Sequence, residues 1–430
     1  MLDTILYRFK KIIPSSLFFW VQPIYHYLMA FFSAVIYRFP SHQIKVIAVT
    51  GTKGKTSVTE ILNAIIEEAG YKTALSNTIR FKIGDQSRNN LYKMSMPGRF
   101  FIQKFLRQAV KAGCGYVVME VTSQGALFHR HRFIDFDALI FTNLAPEHIE
   151  AHGSYEKYIS AKLAIADVIT HSKKKPTILV ANTDDVQSGK FLAKNFTEKH
   201  TYSLDDAKPY NIFKEGFIMT VRGVLIKSPL SGEFNISNTL AAIIFASTQN
   251  IPIETAKRAV EKFKMIPGRV EKIDEGQNFT VIVDYAHTPD SLQKFYNVFR
   301  GTRRICLLGN TGGGRDVWKR DEMAKIAERE CDEIILTNED PYDDDPMKII
   351  TDMARAITKT KPHIIMDRRE AIKKALFIAT VGDSVLITGK GTDPYIMGPN
   401  NTKIPWSDAE VAREELLKLN KKRSVNYTHA

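Results

Sequence analysis

At 430 residues the chain exceeds one ordinary domain, so two or three are expected. Its 44% hydrophobic and 25% charged residues exclude a disordered chain. A net charge of +13 points to anionic partners: a nucleotide, a phosphorylated precursor, nucleic acid or an acidic membrane surface.

Cys114, Cys306 and Cys331 lie far apart with no CxxC pair. Neither a zinc site nor a disulfide framework is expected, and a reducing cytosolic compartment is the default.

The first segment is apolar and aromatic. From Ile12 to Tyr37 there is no Asp, Glu, Lys or Arg, and Phe18, Phe19, Trp20, Tyr25, Tyr27, Phe31, Phe32 and Tyr37 crowd it. About 20 apolar residues suffice to cross a bilayer. Pro23 interrupts the stretch, however, and Arg8, Lys10, Lys11, Arg38 and Lys45 flank both ends, which gives no orientation. No small-residue cleavage site follows, which argues against a signal peptide. The expectation is a leader over 1–43 that touches the membrane surface through 12–39 as a pair of short helices broken at Pro23. A single span and a helix buried against protein are the alternatives.

After Pro40 the texture alternates between strand and helix. Ile44–Thr50 predicts a buried parallel strand, and Ser57–Ala69 a helix closed by Gly70. Further strands are expected over Tyr116–Val121, Asp137–Leu144 and Pro176–Asn182, with a hairpin over Phe217–Lys227 turning at Arg222-Gly223. A second set begins near Pro267-Gly268: Val281–Tyr285, Arg304–Leu308, Glu333–Thr337, His363–Met366 and Ser384–Thr388, with helices such as Lys319–Arg329 and Asp408–Leu419. The predicted class is α/β: a doubly wound P-loop domain over 44–266 and a Rossmann-like α/β domain over 267–430, preceded by the leader.

Between the first strand and first helix lies Gly51-Thr52-Lys53-Gly54-Lys55-Thr56. Backbone N–H groups of such a turn cradle phosphate, a lysine neutralises it, and a Thr hydroxyl binds Mg²⁺. The spacing G-x-x-G-K-T is shorter than the common phosphate loop. It resembles that of the Mur ligases and folylpolyglutamate synthetases, with Lys53 where Asn is usual. The resemblance runs from Val46 to Leu417 through several independent motifs.

That resemblance implies ATP and two Mg²⁺ ions. Gly51, Thr52, Lys53, Gly54, Lys55, Thr56 and Ser57 would hold the phosphates, with Asn143 beside them. Glu120, at the carboxyl edge of a strand next to the P-loop strand, is also well placed on physical grounds to hold a metal. Thr56, Glu120, His148 and Lys162 would form the metal set, Lys162 as a carbamate. Taken singly, a lone His is ordinarily structural and Lys162 lies on a helix that would expose it. Asn235 and Asn238 match the adenine-contact helix, although Asn235 also reads as a helix N-cap. Arg269 would meet the γ-phosphate, Asp284 the ribose, and His287 would line the site. Lys55, Glu120, His148, Lys162 and Arg269 are the catalytic candidates.

The strings Asp284–Asp290, Gly389-Lys390-Gly391 and Trp406-Ser407-Asp408 are most similar to the branch that adds the third residue of the peptidoglycan stem peptide. Its acceptor contacts map to Ser95, Thr122, Ser123 and Arg130, with Gln124 in place of a usual His. The amino-acid pocket maps to Glu339, Asp340, Tyr342, Gly389 and Asp393. Tyr342 stands where an Arg clamps the distal carboxylate of diaminopimelate, so lysine or another amino acid is at least as well suited. The domain that grips the UDP end in the family is absent, and the leader stands in its place. The expected partners are a muropeptide-like precursor and an amino acid, for a monomeric cytoplasmic enzyme at the inner membrane face.

Three rivals remain: a folylpolyglutamate-type acceptor, a membrane-bound ATP-binding scaffold without activity, and a nucleic-acid binder. The Asp-Tyr-Ala-His-Thr-Pro-Asp string opposes the first, and the intact metal set the second. No recognition motif supports nucleic acid, and the basic tail 418–423 reads as a solvated end.

Overall fold

The computed structural model describes residues 15–147, 149–315 and 317–427, with side chains described from 22 to 421. In chain order the strands of the first sheet are β1 (Lys45–Thr50), β2 (Thr73–Ser76), β3 (Arg80–Ile83), β4 (Gln86–Asn89), β5 (Tyr116–Glu120), β6 (Ala138–Phe141), β7 (Ile178–Asn182) and β8 (Glu198–Tyr202). They pair in the order β4-β3-β2-β5-β1-β6-β7-β8, parallel from β2 to β8 and antiparallel at the β3 and β4 edge. β1 lies between β5 and β6, with Val49 opposite Glu120 and Thr50 opposite Phe141. Three loops therefore leave the same carboxyl edge side by side, the usual ligand crevice of an open α/β sheet.

The alternation along β1 shows why both faces are covered. Ile47 and Val49 join the core under helices Lys55–Glu68 and Glu233–Thr248, whereas Val46 and Ala48 face helices Arg99–Lys111 and Tyr155–Thr170. A three-stranded antiparallel sheet follows, β9 (Tyr210–Phe213), β10 (Gly216–Val221) and β11 (Val224–Ser228). Its β10–β11 turn is Arg222-Gly223 as expected, both residues at positive φ.

The second unit has the sheet order β12-β13-β17-β14-β15-β16. Its strands are β12 (Glu271–Ile273), β13 (Thr280–Val283), β14 (Arg304–Leu308), β15 (Glu333–Leu336), β16 (His363–Ile364) and β17 (Ser384–Ile387), parallel except β12. A small hairpin, β18 (Tyr395–Met397) and β19 (Lys403–Pro405), follows. The buried pair Arg368–Asp408 ties the β15 and β17 loops together: Arg368 donates to both Asp408 oxygens, to the Asn338 carbonyl and to the Thr388 carbonyl. Trp406 donates its indole N–H to the same Asp408.

Two expectations are corrected here. Cys306 and Cys331 form a disulfide with Cα atoms 6.0 Å apart. Cys331 ends helix Lys319–Glu330 just before β15, and β15 runs parallel beside β14, which carries Cys306. The crossover brings the thiols within bonding reach, which a spacing of 25 residues does not reveal. Pro23, second, does not split the leader: one helix runs Ser15–Ile36 with Pro23 inside it. Among the described residues, no helix is long and apolar enough to cross a membrane.

That first helix packs on Arg99–Lys111, and Ala30, Ser33 and Ala34 are its buried side chains among those described. Small residues let the backbones approach, and Arg107 fastens the helix end by donating to the Tyr37 and Arg38 carbonyls. Its other face leaves Ile24, Tyr25, Leu28, Phe32, Val35 and Ile36 exposed.

Candidate functional site

The phosphate loop connects β1 to helix Lys55–Glu68, which starts two residues earlier than expected because Gly54 caps it at φ 83°. Two glycines are required by contact. A Cβ on Gly51 would fall 1.9 Å from Thr142 Oγ1, and one on Gly54 would fall 2.3 Å from Asn238 Oδ1. Asn143 braces the loop from below: its Oδ1 accepts from Lys53 N at 2.9 Å, and its Nδ2 donates to the Lys53 carbonyl at 3.1 Å. Thr52 Oγ1 meets the Tyr158 hydroxyl at 2.8 Å. Ser57 is buried in the helix's first turn.

The cations inside this loop are held by oxygens. Lys55 Nζ donates to the carbonyls of Gly51 and Thr52, at 2.9 and 2.8 Å. Lys162, placed in the metal set by resemblance although its helix taken singly would expose it, is only 2% exposed and donates to the same Gly51 carbonyl at 2.8 Å. Helix Tyr155–Thr170 turns that face toward the loop because Tyr158, Ile159 and Ile165 anchor it in the core. Burial, then the neighbouring Lys55, push the Lys162 ammonium well below the usual lysine range, with Glu147 opposing. A buried amine of lowered basicity is nucleophilic at neutral pH, as carbamylation requires.

Glu120 is the hub. Its Oε1 accepts from Thr56 Oγ1 at 2.7 Å and from Thr78 N at 3.0 Å, and its Oε2 accepts from Thr78 Oγ1 at 2.9 Å. Thr78 Oγ1 in turn meets Ser95 Oγ at 2.6 Å. One carboxylate thus joins the phosphate end to Ser95, a predicted acceptor contact. Thr78 went unnoticed in the sequence because only the pairing of β2 with β5 brings it there.

Hard oxygen donors such as Thr56 and Glu120 suit Mg²⁺. Among the described residues no group of three His, Cys, Asp or Glu side chains converges to hold a metal. His148 lies outside the described residues. Lys162 supplies an oxygen ligand only as a carbamate.

Glu147, in the loop after β6, links the two units. Its Oε1 lies 3.0 Å from Lys53 Nζ and 3.1 Å from His287 Nε2. Lys53 is thus paired with a carboxylate rather than free. His287 Nδ1 meets the Tyr285 carbonyl at 2.6 Å. Burial, then Lys53, push the imidazole down to about 4, against the pull of Glu147. Arg269 stacks over the Tyr285 ring at 4.5 Å and donates to the Gly268 carbonyl at 2.9 Å. Asp284 accepts from Val270 N and Ala286 N, both at 2.7 Å, so it also fastens the junction between the units.

Asn235 is corrected as an N-cap: Gly232 caps helix Glu233–Thr248, and Asn235 reaches back to the Ser231 carbonyl at 2.8 Å. Asn238 Nδ2 donates to Asn235 Oδ1 at 3.1 Å, which fixes its carbonyl over Gly54. Thr122 caps helix Ser123–Leu127 by accepting from Gly125 N, and Ser123 Oγ meets His152 Nε2 at 3.1 Å. Arg130 Nη1 donates to the Met96 carbonyl.

At the far end, Glu339 accepts from Thr311 Oγ1 at 2.8 Å, while its Oε2 is buried without a hydrogen-bond partner. Burial, then Asp340, push the Glu339 carboxyl up. Gly389 is needed beside it, since a Cβ would fall 2.4 Å from Glu339 Oε2. Asp340 binds Lys390 Nζ at 2.8 Å and also Lys93, which reaches Asp393 at 3.1 Å. Lys93 comes from the loop after β4, so this ion pair crosses between the units. Tyr342, at φ 52°, lies under Arg315, whose guanidinium is 4.7 Å from the ring centre. Nothing local in the sequence marks Lys93, which acts across the gap between the units, or Arg315, which the loop after β14 brings over Tyr342.

The family models for the Mur ligase middle domain and the Mur ligase glutamate ligase domain match residues 49–246 and 268–391. A curated relative, UDP-N-acetylmuramoyl-L-alanyl-D-glutamate–2,6-diaminopimelate ligase of Geobacillus kaustophilus, is 36% identical over 403 residues, covering 90% of this chain and 81% of its own. UDP-N-acetylmuramyl-tripeptide synthetase of Roseiflexus sp. is 33% identical over 414 residues, with the same shares. Among solved structures, a diaminopimelate-adding ligase of the same description superposes with a TM-score of 0.60 at 27% identity, covering 88% of this chain and 79% of that one. Folylpolyglutamate synthase of Mycobacterium tuberculosis shares the fold, with a TM-score of 0.67 at 15% identity, covering 85% of this chain and 93% of that one. Two domain matches in order, around a glycine loop that its neighbours sterically demand, leave one conclusion: the chain belongs to the Mur ligase family.

Proposed function

We propose that the protein is an ATP-dependent, ADP-forming amide ligase that joins an amino acid to a muropeptide-like carboxylate in peptidoglycan stem-peptide synthesis. The observation that carries this is Glu120, hydrogen-bonded to Thr56 of the phosphate loop on one side and through Thr78 to Ser95 on the other. A nucleotide phosphate and an acceptor carboxylate can meet across it. The acceptor carboxylate attacks the γ-phosphorus, the bond to the β-bridging oxygen breaks, and ADP leaves. The amine of the amino acid then attacks the acyl phosphate, and phosphate departs as the amide forms.

Both reacting partners are anions, so positioning and charge neutralisation carry most of the catalysis. Lys55 and the loop N–H groups orient the phosphates, and Arg269 approaches from the second unit. Thr56 and Glu120, with His148 and a carbamylated Lys162, would hold two Mg²⁺ ions, which supply Lewis-acid neutralisation at the γ-phosphate. In this division residues 44–266 take ATP and 267–430 the amino acid. Glu339, Asp340 and Asp393 favour its amine, and Tyr342 offers no fork for a distal carboxylate, which favours lysine over diaminopimelate. The exposed aromatic face of the first helix supports contact with a membrane surface, as expected for an enzyme at the inner membrane face.

Phosphate release by purified protein, screened over UDP-linked and lipid-linked acceptors and over amino acids, tests the reading. Absence of amide product with every pair would overturn it. For the membrane contact, flotation of the full chain with anionic vesicles is compared with Leu28→Glu and Phe32→Glu; equal flotation of all three would refute it.

A further inference from the structure

Between the first helix and the loop after helix Ser123–Leu127 lies a group of basic side chains, and among the described residues no acid is paired with them. Phe128 is at its centre. His26 stands edge-on to the Phe128 ring at 5.1 Å, and the Arg130 guanidinium lies 5.4 Å from its centroid. Arg99, in the first turn of helix Arg99–Lys111, donates from Nε and Nη2 to the Phe128 carbonyl at 3.1 and 2.6 Å. His129 follows at φ 53°, its ring 6.0 Å from Tyr27. These side chains are half-buried, and among the described residues the strong acceptors of Arg99 and Arg130 are carbonyls. Both His26 nitrogens, His129 Nδ1 and Arg130 Nε are buried with no hydrogen-bond partner.

The charges facing His26 are Arg99, His129 and Arg130, all of one sign, and with burial as the larger cause they push it down to about 4. Arg99 itself is lowered to about 10 by burial and then Arg130. Buried like charges with unused donors are costly unless an anion completes them. The group also touches the acceptor side, because Arg130 holds the Met96 carbonyl next to Ser95.

We propose that His26, Arg99, His129 and Arg130 form a binding site for the diphosphate of the acceptor, built from the first helix and the central unit. This rests on the acceptor reading above. Two guanidinium groups near the start of a helix match the fork geometry and charge of a diphosphate diester. Nucleotide-linked and polyprenyl-linked acceptors share that group.

The test uses the full chain with the phosphate loop saturated by a non-hydrolysable ATP analogue. Calorimetry with pyrophosphate and with uridine diphosphate should show binding that Arg99→Gln weakens about tenfold, close to 1.4 kcal/mol, and that Arg99→Lys partly keeps. In turnover, Arg99→Gln and His26→Gln should lower kcat/KM for a diphosphate-linked acceptor relative to diphosphate-free muramoyl dipeptide. Loss on UDP-linked and polyprenyl-linked acceptors alike means the site reads the diphosphate; loss on one identifies the source. Unchanged diphosphate binding together with an unchanged acceptor ratio would overturn the proposal. If the wild type ligates no acceptor, the ligase reading falls, and calorimetry still decides this site.

Discussion

The phosphate loop and the flank of the first helix follow opposite electrostatic plans. Around the loop, each carboxylate has partners: Glu147 with Lys53 and His287, Glu120 with the Thr56 and Thr78 hydroxyls. At the flank, Arg99, Arg130, His129 and His26 face one another with carbonyls as acceptors. The first region is organised in the protein alone, so a nucleotide enters a prepared site. In the second, Arg99 and Arg130, with the two imidazoles beside them, have no acid partner among the described residues, a gap that an anionic ligand would complete. On the proposed reading, catalytic geometry and substrate grip are built separately in this chain.

The most severe way to break the comparison is at the loop. Lys55→Ala and Glu120→Ala should each lower amide formation by about 10²–10³, the cost of one contact to developing charge. Coupled assay of ADP release reads this, with thermal unfolding as the control for folding. Near-normal turnover in either variant would dissolve the distinction.

Lys162→Ala comes next. It should lose activity and regain part of it when small carboxylates are added, because these can occupy the space of a carbamate. A bicarbonate-kept crystal with an unmodified Lys162 ammonium would count against the carbamate.

A smaller effect is expected at the amino-acid end. Tyr342→Arg should move the kcat/KM ratio for diaminopimelate over lysine upward by about tenfold, the value of one added charged hydrogen bond of roughly 1.5 kcal/mol. A wild type that already prefers diaminopimelate strongly would mean that Arg315 and Lys93 do the clamping instead.

The smallest effect sharpens the flank. His26 is held down to about 4 from 6.5. Its folded state therefore binds fewer protons than its unfolded state between these values, so stability rises with pH across that window and is lost as pH falls through it. Limited proteolysis near the first helix should increase from pH 6.5 toward 4, and His26→Gln should flatten that dependence. Identical profiles would separate His26 from the docking of this helix.

Much of this was legible in the residues. A strand such as Arg304–Leu308 and the Arg222-Gly223 turn are local events, governed by side-chain branching and by permissive backbone. Pro23 was misjudged for an equally local reason. Its cost of about 3 kcal/mol inside a helix is real, yet the helix runs unbroken through it. Lys162 enters the metal set by resemblance, while its helix taken singly would expose it; only the core contacts of Tyr158, Ile159 and Ile165 turn it inward. The bonded pair Cys306 and Cys331 was missed because a crossover connection, not spacing, brings them together.

By itself the sequence determined the α/β alternation, the phosphate loop and its family resemblance, since these depend on short-range spacing and residue chemistry. Only the tertiary structure decided that Glu120 meets Thr78 and Ser95, that Glu147 bridges Lys53 and His287, that Lys93 crosses to Asp340 and Asp393, and that Arg99 and His26 converge on Phe128. Each of these joins residues from different elements. Their distances follow from strand order and domain closure, which no local pattern encodes.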